Sequence, residues 1–432
     1  MPRQRSRRDR LVAPWKLRRL SLENFRSFST LDVELNDLNV VIGANASGKS
    51  NFGQAFRFLR NIALYGLENA VSMQGGPEYL TNTRIGFDRD LEVGMRFDPI
   101  TARHRAAASG KIRALQLRHL DYEFAISWSE KGPAPNITAD RTTLHGDVFL
   151  ERGAGEQSLG QASLVEENRG GKISSKANLP EGVDEADLGL GPEFQLRGMR
   201  IAEGSLMMEA TVPMVYWAFR MGSHALMRDH AVFDFDPRLP KQAAPITGKS
   251  QLEEDGSNLA IVLNTVLQDE DKKRMLLNLL SYLLPFVKDL QVEKQADRSL
   301  LFGLKEKYDS QHYLPASLLS DGTVSVVALI LALFFEDHSL VVIEEPERNL
   351  HPSLMPRLVE LLKDASRNRQ VIVTTHNPEL IKYVGIENLL LISRDEQGFS
   401  QITRPADNEH LKVFLENEIG VEELFVQNLL EV

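Results

Sequence analysis

Eight consecutive residues, Gly43-Ala44-Asn45-Ala46-Ser47-Gly48-Lys49-Ser50, constrain this chain more than any others. They stand between an apolar strand, Leu38–Ile42, and a helix pattern that begins near Lys49 with Phe52, Phe56 and Leu59. They match G-x-x-x-x-G-K-[ST] at every fixed position, in the strand–loop–helix setting that pattern requires. At a helix N-terminus the free backbone N–H groups point outward and the macrodipole favours negative charge. Glycines at 43 and 48 let the loop wrap until its amides face a phosphate, with Asn45, Ala46, Ser47 and Asn51 completing the cradle. Lys49 then reaches the β- and γ-phosphates, and Ser50 places its hydroxyl on Mg²⁺. The stretch predicts an α/β fold that binds a nucleoside triphosphate.

At 432 residues the chain is long enough for two to three domains. It contains no cysteine, which excludes disulfides, zinc knuckles and thiol catalysis and fits a reducing cytoplasm. The longest apolar run, residues 326–335, is about half of a membrane span, so no membrane association is expected. Residues 1–19 carry eight Lys/Arg and one acid, whereas the whole chain has a net charge of −10. Two readings of this basic tail stand: a solubilising segment, or an arm for an anionic partner such as nucleic acid. The acidic body argues against broad nonspecific DNA binding.

In chain order, residues 17–22 and 31–35 read as short strands, followed by the loop and a helix to about Leu64. Met73-Gln74-Gly75-Gly76-Pro77 is a breaker. From about 85 to 235, short β-like runs (91–97, 115–126, 143–150) alternate with turn-rich spacers. Residues 151–195, rich in Gly, Glu, Ser and Asp, read as a mobile insertion. Helices are expected within 250–285, capped by Ser257 or Asn258 and stopped at Pro285, then strands near 287–293 and 299–307. The expected organisation is a basic tail (1–14), an N-terminal lobe with a β-rich insertion (15–235), a helical insertion (236–285) and a C-terminal lobe (286–432). Together they form one discontinuous domain.

The second half adds three elements in fixed order. Leu318-Leu319-Ser320-Asp321-Gly322-Thr323 opens an apolar helix. An apolar strand over 340–343 ends in Glu344-Glu345-Pro346-Glu347, and another over 371–375 ends in His376. Strands buried on both faces of a parallel sheet read as continuous apolar runs, and ligands bind beyond their carboxyl ends. The acids therefore emerge beside the phosphate loop, where one carboxylate can hold the magnesium shell and the next can polarise water. His376 could contact the γ-phosphate. Ser320-Asp321-Gly322 offers a second set of helix-terminal amides, which one chain cannot easily bring to the same nucleotide, so two chains facing each other are expected.

The set GANASGKS, LLSDGT, VVIEEPERNLHP and VVTTHNPEL resembles the ABC-type ATPases of the SMC/RecF/OLD group. More closely it resembles the stand-alone prokaryotic ATPases described as AAA-family or SMC-like and found in defence systems. LSLENFRSF and LEEDGSNLAIVLNTVL carry the same resemblance, which covers about residues 16–90 and 232–395. It implies a P-loop ATPase head and an ATP-sandwich homodimer, with Lys49 and Ser50 acting in cis and Ser320 and Gly322 closing from the partner chain. It makes Glu345 the general base, His376 the switch histidine and Glu344 the magnesium-shell acid, in place of the usual aspartate. Asn349 to His351 would lie in a loop crossing the dimer interface, and Asp321 stands where transporters have glycine. Gln74 is the candidate magnesium glutamine, against a purely structural reading. Phe25, Arg26 and Ser27 either approach the nucleotide or form a structural turn. No long coiled coil interrupts the head, and no acidic nuclease module is expected after residue 395. The resemblance implies a head that gates or scaffolds an effector subunit in antiviral defence. A RecF-like ATPase stimulated by DNA and an ATP-dependent assembly protein without turnover are the alternatives.

Overall fold

The computed structural model describes residues 16–98, 103–108, 111–129, 132–152, 155–189, 200–209, 228–246, 250–309 and 311–407. The basic tail and the chain beyond 407 lie outside these residues. The described residues divide into two compact units, one drawn from 16–35, 54–229 and 394–401 and the other from 36–53, 230–393 and 402–407. The phosphate loop thus groups with the C-terminal elements and not with the β-rich segment that follows it in sequence.

The first unit is an antiparallel sheet. Its strand order is Phe28–Glu34, Lys16–Phe25, Leu91–Asp98, Lys111–Ser129, Gly132–Arg152, Gly155–Arg169, Lys172–Asn178, with Arg103–Ala108 also paired to Lys111–Ser129. Alternation sets its register: Leu20, Leu22, Val93, Met95 and Phe97 are buried, while Asp32 and Glu34 face out. Phe56, Leu59 and Ile62 of the helix Lys49–Tyr65 are also buried.

Within the stretch 151–195, expected to be a mobile insertion, residues 155–178 form a paired hairpin, Gly155–Arg169 with Lys172–Asn178, turning at Gly170 (φ 57°) and Gly171 (φ 81°), while 153–154 and 190–195 lie outside the described residues. Its polar composition misleads because part of what it buries is polar. Asn168 donates to Asp140 Oδ2 at 2.8 Å, and Asp140 also accepts from Tyr122 Oη (2.8 Å) and the Met207 amide (2.7 Å). A buried carboxylate with several donors anchors strands whose apolar pattern is weak.

The second unit is built on a parallel sheet. His230–Phe233, Leu340–Glu344, Gln370–Thr375, Leu38–Ile42 and Leu389–Arg394 run parallel in that order. Every residue of Leu38–Ile42 and Gln370–Thr375 is buried, which is why both read as largely apolar runs without the alternation of a half-exposed strand. The helix Asp321–Phe334 is apolar on nearly every side and runs through the core. Leu259–Leu267 and Glu270–Leu283 bury Leu259, Leu263, Leu276 and Leu280 in the same cluster. These two helices, within the expected helical insertion, thus pack into the core of the unit. A smaller antiparallel sheet joins Ala244–Pro245, Ser299–Glu306, Val287–Lys294 and Leu314–Pro315.

Candidate nucleotide site

Register brings the sequence-predicted groups together. Glu344 pairs with Thr374, and Thr375 pairs with Ile42, so three adjacent parallel strands end level with one another. The acids, His376 and Gly43 consequently leave the sheet side by side at its carboxyl edge, where α/β folds place ligands.

The loop allows no side chain at Gly43, because a Cβ there would lie 2.2 Å from the Ile392 carbonyl oxygen. Gly48 (φ 119°) and Ala46 (φ 62°) supply the left-handed turns that wrap it. Ala44, Asn45, Ala46 and Ser50 are exposed, Asn51 is half-buried, and Ser47 and Lys49 are buried. Lys49 Nζ donates to the carbonyls of Gly43 and Ala44, both at 2.8 Å. Burial lowers its pKa, opposed by the charges of Glu345 and Glu347. The helix begins at once, with Phe52 N donating to Gly48 O at 2.9 Å. Gly53 leaves room for Glu344, whose Oε1 would meet a Cβ at position 53 at 3.2 Å. Since Ser50 lies three residues before Gly53, its hydroxyl and the Glu344 carboxylate share one side of the helix.

Glu345 holds a left-handed backbone (φ 45°) that a non-glycine residue adopts only when its surroundings require it. Its amide donates to Thr374 O at 2.9 Å. Oε1 lies 2.7 Å from His376 Nδ1, and Oε2 accepts from Arg348 Nη2 at 3.1 Å and Nε at 3.3 Å. Burial pushes its pKa up, but hydrogen bonds from His376 and Arg348 outweigh this and leave it below the ordinary carboxylate value.

Several site neighbours escaped the sequence reading. Arg348 also reaches Asp234 at 3.3 Å. Glu347 is only 6% exposed and accepts from the Thr375 hydroxyl, which in turn accepts from the Asn377 amide at 2.9 Å. Burial raises the Glu347 pKa. Nothing in E-E-P-E tells which acid turns inward; the turn beyond the strand end at Glu344 carries Glu347 to the Thr375 hydroxyl.

Ser320, Asp321 and Gly322 form a second cluster. Ser320 Oγ caps the helix by accepting from Thr323 N at 3.1 Å, and Asp321 pairs with Lys241. A Cβ on Gly322 would lie 2.4 Å from the carbonyl oxygen of Asn349, itself at φ 66°. No hydrogen bond or ion pair described for these three residues reaches the phosphate loop. Gln74 belongs to the other unit, where it follows the helix Leu67–Met73 and its Oε1 accepts from Arg26. The turn at Phe25, Arg26 and Ser27 has partners of its own: Phe25 packs on Phe58, Arg26 N donates to Leu80 O at 2.9 Å, and Ser27 O accepts from Ser400 N at 2.9 Å.

The family described as "AAA domain, putative AbiEii toxin, Type IV TA system" matches residues 38–382. A crystal structure of the Smc head bound to the C-winged helix domain of ScpA is similar, at 15% identity and TM-score 0.51, over 90% of this chain and 97% of that one. An Smc head with an extended coiled coil bound to the C-terminal domain of ScpA, from Pyrococcus furiosus, aligns at 13% identity and TM-score 0.49 over 94% of this chain and 100% of that one. In sequence, an uncharacterized protein of Methanocaldococcus jannaschii, MJECL43, is 27% identical over 93 residues. That match spans 21% of this chain and about a quarter of the relative's length (24%). Among the described residues, no helix is long and apolar enough to cross a membrane.

Proposed function

The chain belongs to this AAA-domain family of P-loop ATPases with an SMC-head-like fold, and on that premise we propose that it hydrolyses MgATP between two copies of itself. The observation that carries this reading is the meeting, at one sheet edge, of the loop, the Glu344–Glu345 pair and His376, with Glu345 held 2.7 Å from His376. The loop amides and Lys49 bind and orient the triphosphate, after Lys49 exchanges the Gly43 and Ala44 carbonyls for phosphate oxygens. Glu345, ionised at neutral pH, accepts the proton of the attacking water. The water oxygen bonds to the γ-phosphorus as the bond to the bridging oxygen breaks and ADP leaves. His376 orients Glu345 and, through that contact, would register the departure of the γ-phosphate. Ser320 and Gly322 would close on the nucleotide of a partner chain.

The residues present suit magnesium: a helix-terminal hydroxyl, Ser50, and a carboxylate, Glu344, share one side of the helix, and both are hard oxygen donors. The ion would neutralise charge on the phosphates. Gln74 is a weaker candidate ligand, since Arg26 already engages its oxygen.

Glu345→Gln tests the assignment. It should bind ATP like the parent and hydrolyse it roughly 10²–10⁴-fold more slowly; parental turnover would remove Glu345 as the base. For the biological role, we favour a head that gates or scaffolds an effector protein in antiviral defence. The AbiEii and toxin–antitoxin wording of the family description supports this, as does the similar Smc head's complex with ScpA. ATPase rates with and without duplex DNA distinguish it from a DNA-stimulated maintenance enzyme. DNA stimulation would favour the latter, whereas DNA-independent turnover with a co-purifying protein subunit fits the effector reading.

A further inference from the structure

The β-rich unit carries a side-chain cluster that the nucleotide chemistry does not use. His119 and Asp121 stand two residues apart on the strand Lys111–Ser129, so they share one face of the sheet. His145, on the neighbouring strand Gly132–Arg152, lies directly across from His119. That pairing depends on an irregularity in the ladder. The register runs Leu117↔Gly146 and then His119↔His145, so Arg118 is the extra residue. An uninterrupted antiparallel ladder would set Arg118 against His145 and turn His119 away from it. The shift stacks the two imidazoles, with ring centroids 4.4 Å apart. Both Nε2 atoms approach one oxygen, Asp121 Oδ2, at 3.6 Å from His119 and 3.4 Å from His145.

We propose that His119, Asp121 and His145 bind a late first-row divalent cation of the zinc class. Two imidazoles and one carboxylate are a zinc-type donor set, whereas magnesium and calcium take oxygen donors. The spacing fits as well. Ligands about 2.0–2.1 Å from a tetrahedral ion stand about 3.3–3.4 Å apart, close to the two observed separations. All three ligand atoms lie within 4.8 Å of one another, and all three side chains are half-buried, so an ion could enter without unfolding the sheet.

Arg96 is the competing cation, with Nε 2.7 Å from Asp121 Oδ1 and Nη2 3.3 Å from Oδ2. It accounts for the position of the carboxylate, as an outer partner that orients a ligand. It does not account for two histidines turned to the same oxygen. Its charge sets the affinity below that of a closed structural zinc site. With three protein donors, a fourth position stays open to water, and the ion ties adjacent strands together.

The test uses the full chain, stripped with a chelator and titrated with Zn²⁺ by calorimetry in the absence of nucleotide. One ion per chain is expected, with affinity falling by at least roughly 10-fold in both His119→Gln and His145→Gln. His312→Gln, at an exposed histidine paired with Asp309, should leave the titration unchanged. Anomalous scattering from a zinc-soaked crystal needs no variant, and a peak among the three side chains supports the site. Absence of zinc binding by the parent, unchanged affinity in both variants, or a peak elsewhere with none here overturns it.

Discussion

Asp140 behaves differently from Glu345 although both are hydrogen-bonded carboxylates. At Glu345 burial is the largest single influence and raises the pKa, but the hydrogen bonds from His376 and Arg348 together outweigh it, whereas at Asp140 burial prevails and pushes the pKa up to about 6 despite three donors. The sign follows from the raised value. The protonated form contributes stability that is fully present below the ordinary 3.8 and is lost as pH rises through about 6. The loss amounts to about 3 kcal/mol. Asp140→Asn cannot titrate, so the fall in stability between roughly pH 4 and 6 should be missing from that variant relative to the parent. Denaturant unfolding at several pH values reads this directly, and parallel pH profiles for the two proteins would contradict it. No sequence pattern identifies Asp140 as special, because its environment is assembled from Tyr122, Asn168 and Met207, which are remote from it in the chain.

At the level of elements, what was legible in the sequence was what burial writes into a continuous run. Leu38–Ile42, the strand before Glu344 and the strand before His376 are enclosed on both faces, so they stand out as apolar and their ends mark the site. Their sideways order was not legible, since pairing is a long-range choice that no local pattern encodes. For the same reason the ion partners Arg348–Asp234 and Lys241–Asp321 went unseen. The hairpin over 155–178 is not legible as strands because its ladder and a buried polar network hold it where apolar alternation is faint. The helix Asp321–Phe334 allows a test of whether its cap does more than cap. Ser320→Ala removes the bond to Thr323 N and should cost about 1 kcal/mol of stability. If Ser320 also closes on a partner's nucleotide, turnover should fall well beyond that loss, while ATP binding to the single chain is preserved. Thermal melts beside ATPase rates separate the two effects; equal, small changes in both would leave Ser320 a cap alone.

At the scale of the whole molecule, the proposed assembly makes each chain serve two nucleotides, one through its loop and acids and the other through Ser320 and Gly322. Gly322 lies against the backbone carbonyl of Asn349, four residues after the proposed base. A shift of the acid-bearing turn when one nucleotide is spent would therefore press on the segment that grips the other. The two turnovers would not be independent events, and ATP dependence of the rate should be cooperative, with a Hill coefficient above one. Asn349→Gly suits the left-handed backbone at that position (φ 66°), so the fold should survive while the turn gains freedom. Its Hill coefficient should drop toward one with the maximal rate little changed; an unaltered coefficient would remove Asn349 from the link. On this reading the missing side chain at Gly322 is what lets two catalytic events in different subunits keep time with each other.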